Sequence, residues 1–502
     1  MSSVVIIGAG LAGLATACHL ARSGHRITVV ESADHVGGMA GQRTEAGFTF
    51  DLGPTVLTMP DLIERTLRAA GGDLGDLPLR RLDPAYRAFF ADGSHLDIWS
   101  DHDQMTEQIR RECSAADAAA FEAYAAWLAD LYALEMPHFI DRNFDAPWDL
   151  VRRPVPAARL LTLGAFGRLH RKVGRQFSDD RLRRVFSFQA LYAGLSPHQA
   201  LSIYAVIAYM DAVKGVYFPV GGMHAVPLAL AAAAQRAGVD IRLSTPARGL
   251  TRDTGGLVSG VVTDAGVIAA DAVVCTIDVP TAYRTVLRDL RRPLSLRAPA
   301  FSPSAVVWHV GARGSGADPA MAPVMAPVMA HHNIHFGGLW REPFEDLLVG
   351  KRLMRDPSRL VTVPSVTDPG RAAPGCSTLY VLEPVPHLPG SALNWEHEDT
   401  RDAMRDRLQG FLTRSGYPSQ IVAEHLVTPA DWAAQGLTAG TPFSLAHLFR
   451  QTGPFRTRNA PRSAPGVVLA GAGTTPGVGV PMVLISGRLA AQRVVTYLAG
   501  RS

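Results

Sequence analysis

Gly8, Gly10 and Gly13 stand in G-x-G-x-x-G spacing, and an acidic residue, Glu31, follows shortly after. Together these residues can hold a dinucleotide. Gly8 permits a tight turn, Gly10 lets the backbone approach a pyrophosphate, and Gly13 allows a helix to pack closely on a strand. Leu11 and Ala12 open that helix, whose unpaired N–H groups and positive dipole end suit phosphate oxygens. The Glu31 carboxylate sits where it can accept hydrogen bonds from ribose hydroxyls.

These positions require a strand, a helix and a second strand around them. Val4 to Ile7 is a short β-branched run of the kind found in buried parallel strands. Residues 11–23 read as a helix closed by Gly24, and residues 26–30 as the next strand, ending at Glu31. Near the other end of the chain the pattern returns. Residues 467–470 read as a strand, "GAGTTPGVGVP" (471–481) as a glycine-rich loop, and "SGRLAAQRVV" as a helix.

A chain of 502 residues, 47% hydrophobic, buries a large core and divides into two or three domains. Its 49 basic and 45 acidic residues leave a net charge of +4, which does not suggest a nucleic-acid partner. Four cysteines without a C-x-x-C pair form neither a disulfide framework nor a zinc site and fit a reducing cytoplasm. No secretory signal is visible, and no run approaches the ~20 apolar residues of a membrane-spanning helix. A soluble protein, or one lying on a membrane surface, is expected.

"HVGGMAG" places a second glycine pair, Gly37 and Gly38, just after Glu31, and "GFTFDLGPTVLTMP" (47–60) follows. An NAD dehydrogenase has no reason for that cluster. The segment resembles the extended FAD fingerprint of the amine oxidase and carotenoid desaturase superfamily. The resemblance narrows to bacterial phytoene desaturases at "GFTFDLGPTV". It continues through residues 183–210, "GVYFPVGGMHAV" (215–226), "APGCSTLYVLEPVPHL" (373–388) and "AGAGTTPGVGVP". Five blocks in order span nearly the whole chain. Met39 stands where the family carries arginine, with Arg43 as a candidate substitute. Thr475 replaces a common histidine, and Met482 a small residue.

The resemblance implies an α/β fold. It has a discontinuous Rossmann-like FAD-binding domain, a mixed-sheet substrate domain and a helical, membrane-facing subdomain. The expected division gives residues 1–85, 215–285 and 460–502 to the FAD-binding domain. Residues 86–130 and 286–459 go to the substrate domain, and 131–214 to the helical subdomain. By the same resemblance, Gly37, Gly38, Met39, Gly53, Pro54 and Thr55 border the cofactor, and Ala247 presents backbone to adenine. Asp278 lies near the cofactor or caps the following helix. Gly471, Ala472 and Gly473 approach the ribitol and phosphates, and Val480, Pro481 and Met482 the flavin ring.

The activity implied is desaturation of a linear C40 carotenoid precursor, phytoene toward lycopene. Flavin N5 takes a hydride and a neighbouring proton is lost. A hydrocarbon offers no heteroatom, so a long apolar tunnel must recognise it. Asp149 and Arg152 resemble the family's Asp-x-x-Arg element and are the acid/base candidates; a helix-terminal ion pair is the alternative. Oxygen or a membrane quinone reoxidises the flavin. A later-acting carotenoid desaturase, a flavin amine oxidase and a prenyl-lipid-binding chaperone are the rival functions; the intact glycine motifs argue against the last.

Residues 150–176 carry seven basic residues and no acidic one, interleaved with Leu160, Leu161, Leu163, Phe166 and Leu169. A basic amphipathic helix of this kind suits the headgroups of an anionic membrane, here the inner face of the cell membrane. A solvated basic face is the alternative. "HHNIH" (331–335) lacks acidic or cysteine partners and is not expected to bind metal. Tyr217 and Phe218 are expected either beside the flavin or in the core. "MAPVMAPVMA" (321–330) reads as a duplicated loop or as an adaptable methionine surface.

Overall fold

The computed structural model describes residues 1–150, 152, 154–314 and 329–501. Arg153 and all but the last two residues of the methionine-rich duplication lie outside them.

The β-branched runs at both ends of the chain meet in one five-stranded parallel sheet. Its order in space is Val467–Leu469, Ala272–Cys275, Ser3–Ile7, Arg26–Val30, Asp240–Arg242. Its three central strands are almost wholly buried, as parallel strands must be when both faces are covered. The Leu11–Leu20 helix packs there against the Val480–Ala499 helix. A Cβ on Gly487 would fall 2.5 Å from the Ala12 carbonyl oxygen, and the Thr16 hydroxyl lies 3.2 Å from the Gly487 carbonyl. Only a glycine admits that approach. It fixes the second glycine loop beside the first.

A seven-stranded mixed sheet forms the second layer, ordered Gln420–Val427, Ser304–Arg313, Cys376–Val385, Arg359–Thr362, His332–His335, Tyr86–Phe89, His95–Ile98. All its pairings are antiparallel except His332–His335 with Tyr86–Phe89. Strand periodicity of two sorts its side chains. Val306, Trp308 and Val310 pack with Leu408 and Phe411 of the Glu398–Arg414 helix. Ala305 and Val307 face the other way, into the central cavity.

Residues 102–212 form a helical region. Its longest member, Ala115–Glu135, is capped by Ser114, whose hydroxyl accepts the Asp117 N–H at 2.9 Å. It passes into a π-helical turn, Met136–Ile140, closed by the Asp141 N–H on the Met136 carbonyl. The basic segment forms two short helices, Pro154–Thr162 and Leu169–Gln176, rather than the one expected. Gly164, at φ +70°, turns the chain between them. Leu160 and Leu169 enter the core, while Leu161 and Phe166 remain exposed. Among the described residues no helix is long and apolar enough to cross a membrane.

Candidate active site

Both glycine loops open onto a single cavity of about 1250 Å³. Gly8 leaves the first strand at φ +104°, and a Cβ there would meet the Thr276 hydroxyl at 2.3 Å. A Cβ on Gly13 would lie 1.9 Å from the Gly8 carbonyl oxygen, so helix and turn touch directly. Gly10 has nothing nearer than 3.9 Å, and its neighbours there are Gly37 and Gly38. The two glycine clusters are pinned together by the Gly37 N–H on the Ala9 carbonyl at 2.9 Å. A side chain on Gly10 or Gly38 would fill the gap between the loops.

No side chain caps the Leu11–Leu20 helix at Gly10, and Leu11 and Ala12 line the cavity. Its first N–H groups therefore lack a side-chain partner where the cavity begins. Glu31 is fixed at the same level: Oε2 accepts the Ala9 N–H at 2.7 Å, and Oε1 the Ala33 N–H at 2.9 Å. Gly53 packs so closely that a Cβ would fall 1.9 Å from the Met39 carbonyl oxygen. That contact brings Pro54 and Thr55 to the wall beside Met39.

The C-terminal loop mirrors this arrangement. Gly471 (φ +110°) donates its N–H to the Ser486 hydroxyl at 3.0 Å. Gly473 packs on Val279, and Gly477 on the His447 ring. The Val480–Ala499 helix also starts without a side-chain cap, and Val480, Pro481 and Met482 face the cavity. Beneath the loop lies Arg456, 2% exposed. It donates to the carbonyls of Ala472 (2.6 Å), Thr474 (3.0 Å), Gln451 (3.2 Å) and Leu445 (3.2 Å). Burial pushes its pKa down to about 10.

Nearly all the residues expected at the cofactor meet at this cavity: Gly8, Gly10, Glu31, the Gly37–Thr55 set, Ala247, Asp278, Gly471 to Gly473 and Val480 to Met482. Thr475, at a departure from the family pattern, lines it too. Asp278 makes no cap hydrogen bond to its helix; its carboxylate accepts the Thr438 hydroxyl at 2.5 Å. Gly13 stands behind the wall, in its packing role.

Two expectations are corrected. Arg43 lies on an exposed hairpin, paired with Glu45 at 2.7 Å, and does not line the cavity. Asp149 and Arg152 do not line it either. Asp149 Oδ2 accepts the N–H groups of Asp145 (2.7 Å) and Ala146 (3.0 Å), and Oδ1 pairs with Arg152 at 3.1 Å. These backbone donors hold its carboxyl below the usual range, so Asp149 closes a turn and has little proton affinity. Of the two places expected for Tyr217 and Phe218, the core is the one found: Phe218 is buried there and packs on the His331 ring, 4.5 Å between centroids, with Tyr217 against the same core.

His331, His332 and His335 each meet a different hydroxyl, on Thr367, Thr362 and Tyr417, at 2.7 to 2.9 Å. Burial lowers His332 and His335 to about 3, which keeps them neutral. Among the described residues no cluster could hold a metal.

Sequence reasoning missed two carboxyls in the cavity wall. Glu135 ends the Ala115–Glu135 helix, and Asp211 lies in the Val206–Ala212 helix; both are at most 4% exposed. Burial pushes Asp211 up to about 8, with Gln189, Tyr86, Tyr124 and Tyr192 around it. Glu135 is also pushed well above the ordinary carboxyl range, by burial alone. A lone acid in the apolar run "IYAVIAYMDAV" was the available signal for Asp211.

Two uncapped helix N-termini and a glycine-walled gap sharing one cavity fit an extended dinucleotide with a phosphate region and a ring at opposite ends. The comparisons agree. The model of the family "flavin containing amine oxidoreductase" matches residues 11–495. A phytoene dehydrogenase of Streptomyces griseus is 50% identical over 98% of this chain and 94% of its own. A zeta-carotene-forming phytoene desaturase of Myxococcus xanthus is 34% identical over the same shares. Among solved structures, an oxidoreductase from Methanosarcina mazei superposes with a TM-score of 0.62 at 15% identity, covering 97% of this chain and 98% of that one. A putrescine oxidase superposes at 0.61 and 16%, covering 100% and 99%. These two show the shared fold. The chain is an FAD-dependent oxidoreductase that belongs to the flavin-containing amine oxidoreductase family and stands in it with the bacterial phytoene desaturases.

Proposed function

We propose that this chain desaturates a linear C40 carotenoid precursor, taking phytoene toward lycopene in carotenoid biosynthesis. One observation carries the reading: the cavity that begins between the glycine loops continues past Val480–Met482 into an apolar chamber. Phe139, Ile140, Leu160 and Phe166 are among its lining residues. A flexible hydrocarbon chain fits such a space. The 50% identical relative named phytoene dehydrogenase supports the same substrate.

Leu11, Ala12 and the glycines around them are assigned to the pyrophosphate, Glu31 to the ribose, and Ala247 to adenine. Gly471 to Gly473 are assigned to the ribitol and phosphates, and Val480 to Met482 to the ring. Bound FAD supplies the hydride acceptor. The chain's own residues hold the polyene extended against that ring and exclude water from it. The domain boundaries after residues 85, 214, 285 and 459 are proposed as they stand; the one after residue 130 falls inside the Ala115–Glu135 helix.

Substrate entry is proposed from the inner leaflet of the cell membrane. Phe166 is 40% exposed and Phe449 57%, yet both line the cavity, which puts a mouth at the surface. Exposed Trp148, Val155 and Leu161 come from the same segment as Phe166, with Arg159, Arg168 and Arg171 among them. Apolar side chains with interleaved cations match an anionic bilayer surface. A membrane quinone or oxygen then takes the electrons.

Expression in cells that accumulate phytoene tests the reading. Phytoene should be consumed and longer-wavelength polyenes should appear in the absorption spectrum. Phytoene that persists while a later carotenoid or an amine is oxidised would refute it.

A further inference from the structure

Glu135 is a carboxyl in the wrong surroundings for a structural role. It is 3% exposed, its Oε1 has no hydrogen-bond partner among the described residues, and no cation is paired with it. An orphaned polar atom of this kind costs on the order of 1–3 kcal/mol, more if charged. Leucine at the end of the same helix would avoid that cost. Yet the residue faces the substrate cavity, at the start of a π-helical turn, an irregularity frequent at functional sites.

Its position along the cavity follows from two sets of contacts. On one side lies Tyr204, also in the wall, whose acidity the Glu135 charge weakens. Tyr204 donates its hydroxyl to the His447 carbonyl at 2.5 Å, and the His447 ring packs on Gly477 of the C-terminal loop. On the other side, the turn after Glu135 is bound to the C-terminal helix: Arg488 reaches Asp141 at 2.6 Å, and Asn143 the Leu489 carbonyl at 3.2 Å. These contacts tie the wall around Glu135 to the C-terminal loop through Tyr204 and His447, and the turn after it to the middle of the C-terminal helix. Asp211 is elsewhere. It faces Tyr124, and the helix from Tyr124 to Glu135 rises about 16 Å.

We propose that Glu135 takes the proton that the substrate loses on desaturation. The proposal rests on the desaturation reading above. Two C–H bonds on neighbouring carbons break. One leaves with its electron pair as hydride to the flavin, the oxidant. The hydrogen of the other leaves as a proton to a Glu135 oxygen, and its electron pair becomes the new C=C bond. Substrate loses two hydrogens and two electrons, and Glu135 ends as the neutral acid. Burial raises its affinity for that proton, and an ionised Glu135 also offsets the positive charge that builds on carbon during hydride loss. The groups facing it are Tyr204, with His447 and Arg456 behind, and beyond the turn Asp141 with Arg488 and Arg65.

The test uses the holoenzyme with phytoene in liposomes, comparing wild type, Glu135→Gln and Glu135→Asp. Wild-type turnover should climb about tenfold per pH unit below the pKa of this group, because only the ionised form accepts a proton. Glu135→Gln should keep bound FAD and its thermal midpoint while losing ~100-fold or more in kcat and the pH limb with it. Glu135→Asp should restore part of both. Infrared spectra of the apoprotein should contain a protonated-acid carbonyl band that Glu135→Gln removes and that titrates with the rate. A Glu135→Gln enzyme with undiminished turnover and an unchanged pH profile overturns the assignment and leaves the desaturation reading standing. A wild-type enzyme inert toward phytoene overturns both.

Discussion

The Arg456 guanidinium lies 2.6 Å from the Ala472 carbonyl oxygen, fully inside the protein, with no carboxylate beside it among the described residues. Four backbone carbonyls from three segments share that one cation, and two of them belong to the C-terminal glycine loop. Arg456→Met would leave those acceptors buried and unpaired, at about 1–3 kcal/mol each before relaxation. The expected outcome is a lower thermal midpoint and at least tenfold weaker FAD binding. Arg456→Lys, which lacks the fork geometry, should recover only part. Calorimetry and flavin fluorescence titration would check this; tight FAD binding in Arg456→Met would contradict it.

Gly13→Ala places a methyl group 1.9 Å from the Gly8 carbonyl oxygen. Backbone has to move, and overpacking of this kind costs about 1–3 kcal/mol. The purified variant should be largely colourless and regain FAD poorly on reconstitution. Full flavin occupancy would show that the turn tolerates the shift.

Asp149→Asn should leave kcat within about twofold. It weakens a turn whose carboxylate accepts two N–H groups, at a cost of roughly 1 kcal/mol. The wild-type contribution has a definite sign. A folded carboxyl held below its usual range stabilises above the unfolded pKa, and that stability is lost as pH falls through the folded value. Urea midpoints of the two proteins should therefore differ at neutral pH and converge in acid. A hundredfold drop in kcat would restore Asp149 to catalysis.

Asp211→Asn should stabilise the protein above pH 7. Burial lifts the folded pKa to about 8, so the native state holds a proton that the unfolded state releases near pH 4. Stability from that proton is complete below pH 4 and lost as pH rises through 8. Asparagine does not ionise, and the variant should gain on the order of a few kcal/mol at pH 8 relative to its difference at pH 4. Parallel denaturation curves at both pH values would contradict the burial argument.

Leu161→Glu and Phe166→Glu should each reduce co-sedimentation with anionic vesicles severalfold while leaving bound FAD unchanged, and rising salt should weaken wild-type binding. Vesicle binding unaffected by both changes would place the membrane face elsewhere.

These predictions draw on different depths of information. The cofactor cradle was legible because glycine spacing encodes backbone conformation directly: Gly8 and Gly471 have the positive φ that their positions required. The sheet strands were legible from β-branched runs. Asp149 was not, since an Asp-x-x-Arg pair reads the same whether it closes a turn or faces a substrate. Arg43 failed because the whole Gln42–Glu45 strand lies exposed on a hairpin, which a missing motif arginine cannot reveal. Glu135 was hidden at the end of an alanine-rich helix, where a glutamate ordinarily meets water. Its burial depends on the turn and the C-terminal helix that fold over it.

The parallel sheet joins Val467–Leu469 to Ser3–Ile7 through Ala272–Cys275, so the cradle combines segments made far apart in time. Synthesis runs from the N-terminus, and early segments begin to fold before late ones exist. A growing chain therefore displays the first phosphate loop, and the greasy wall beside it, long before the loop that closes over the ring. Flavin capture is in consequence a late event of maturation. Until then the half-built chamber is an aggregation hazard, and supply of free flavin during expression should govern how much of the protein survives in usable form.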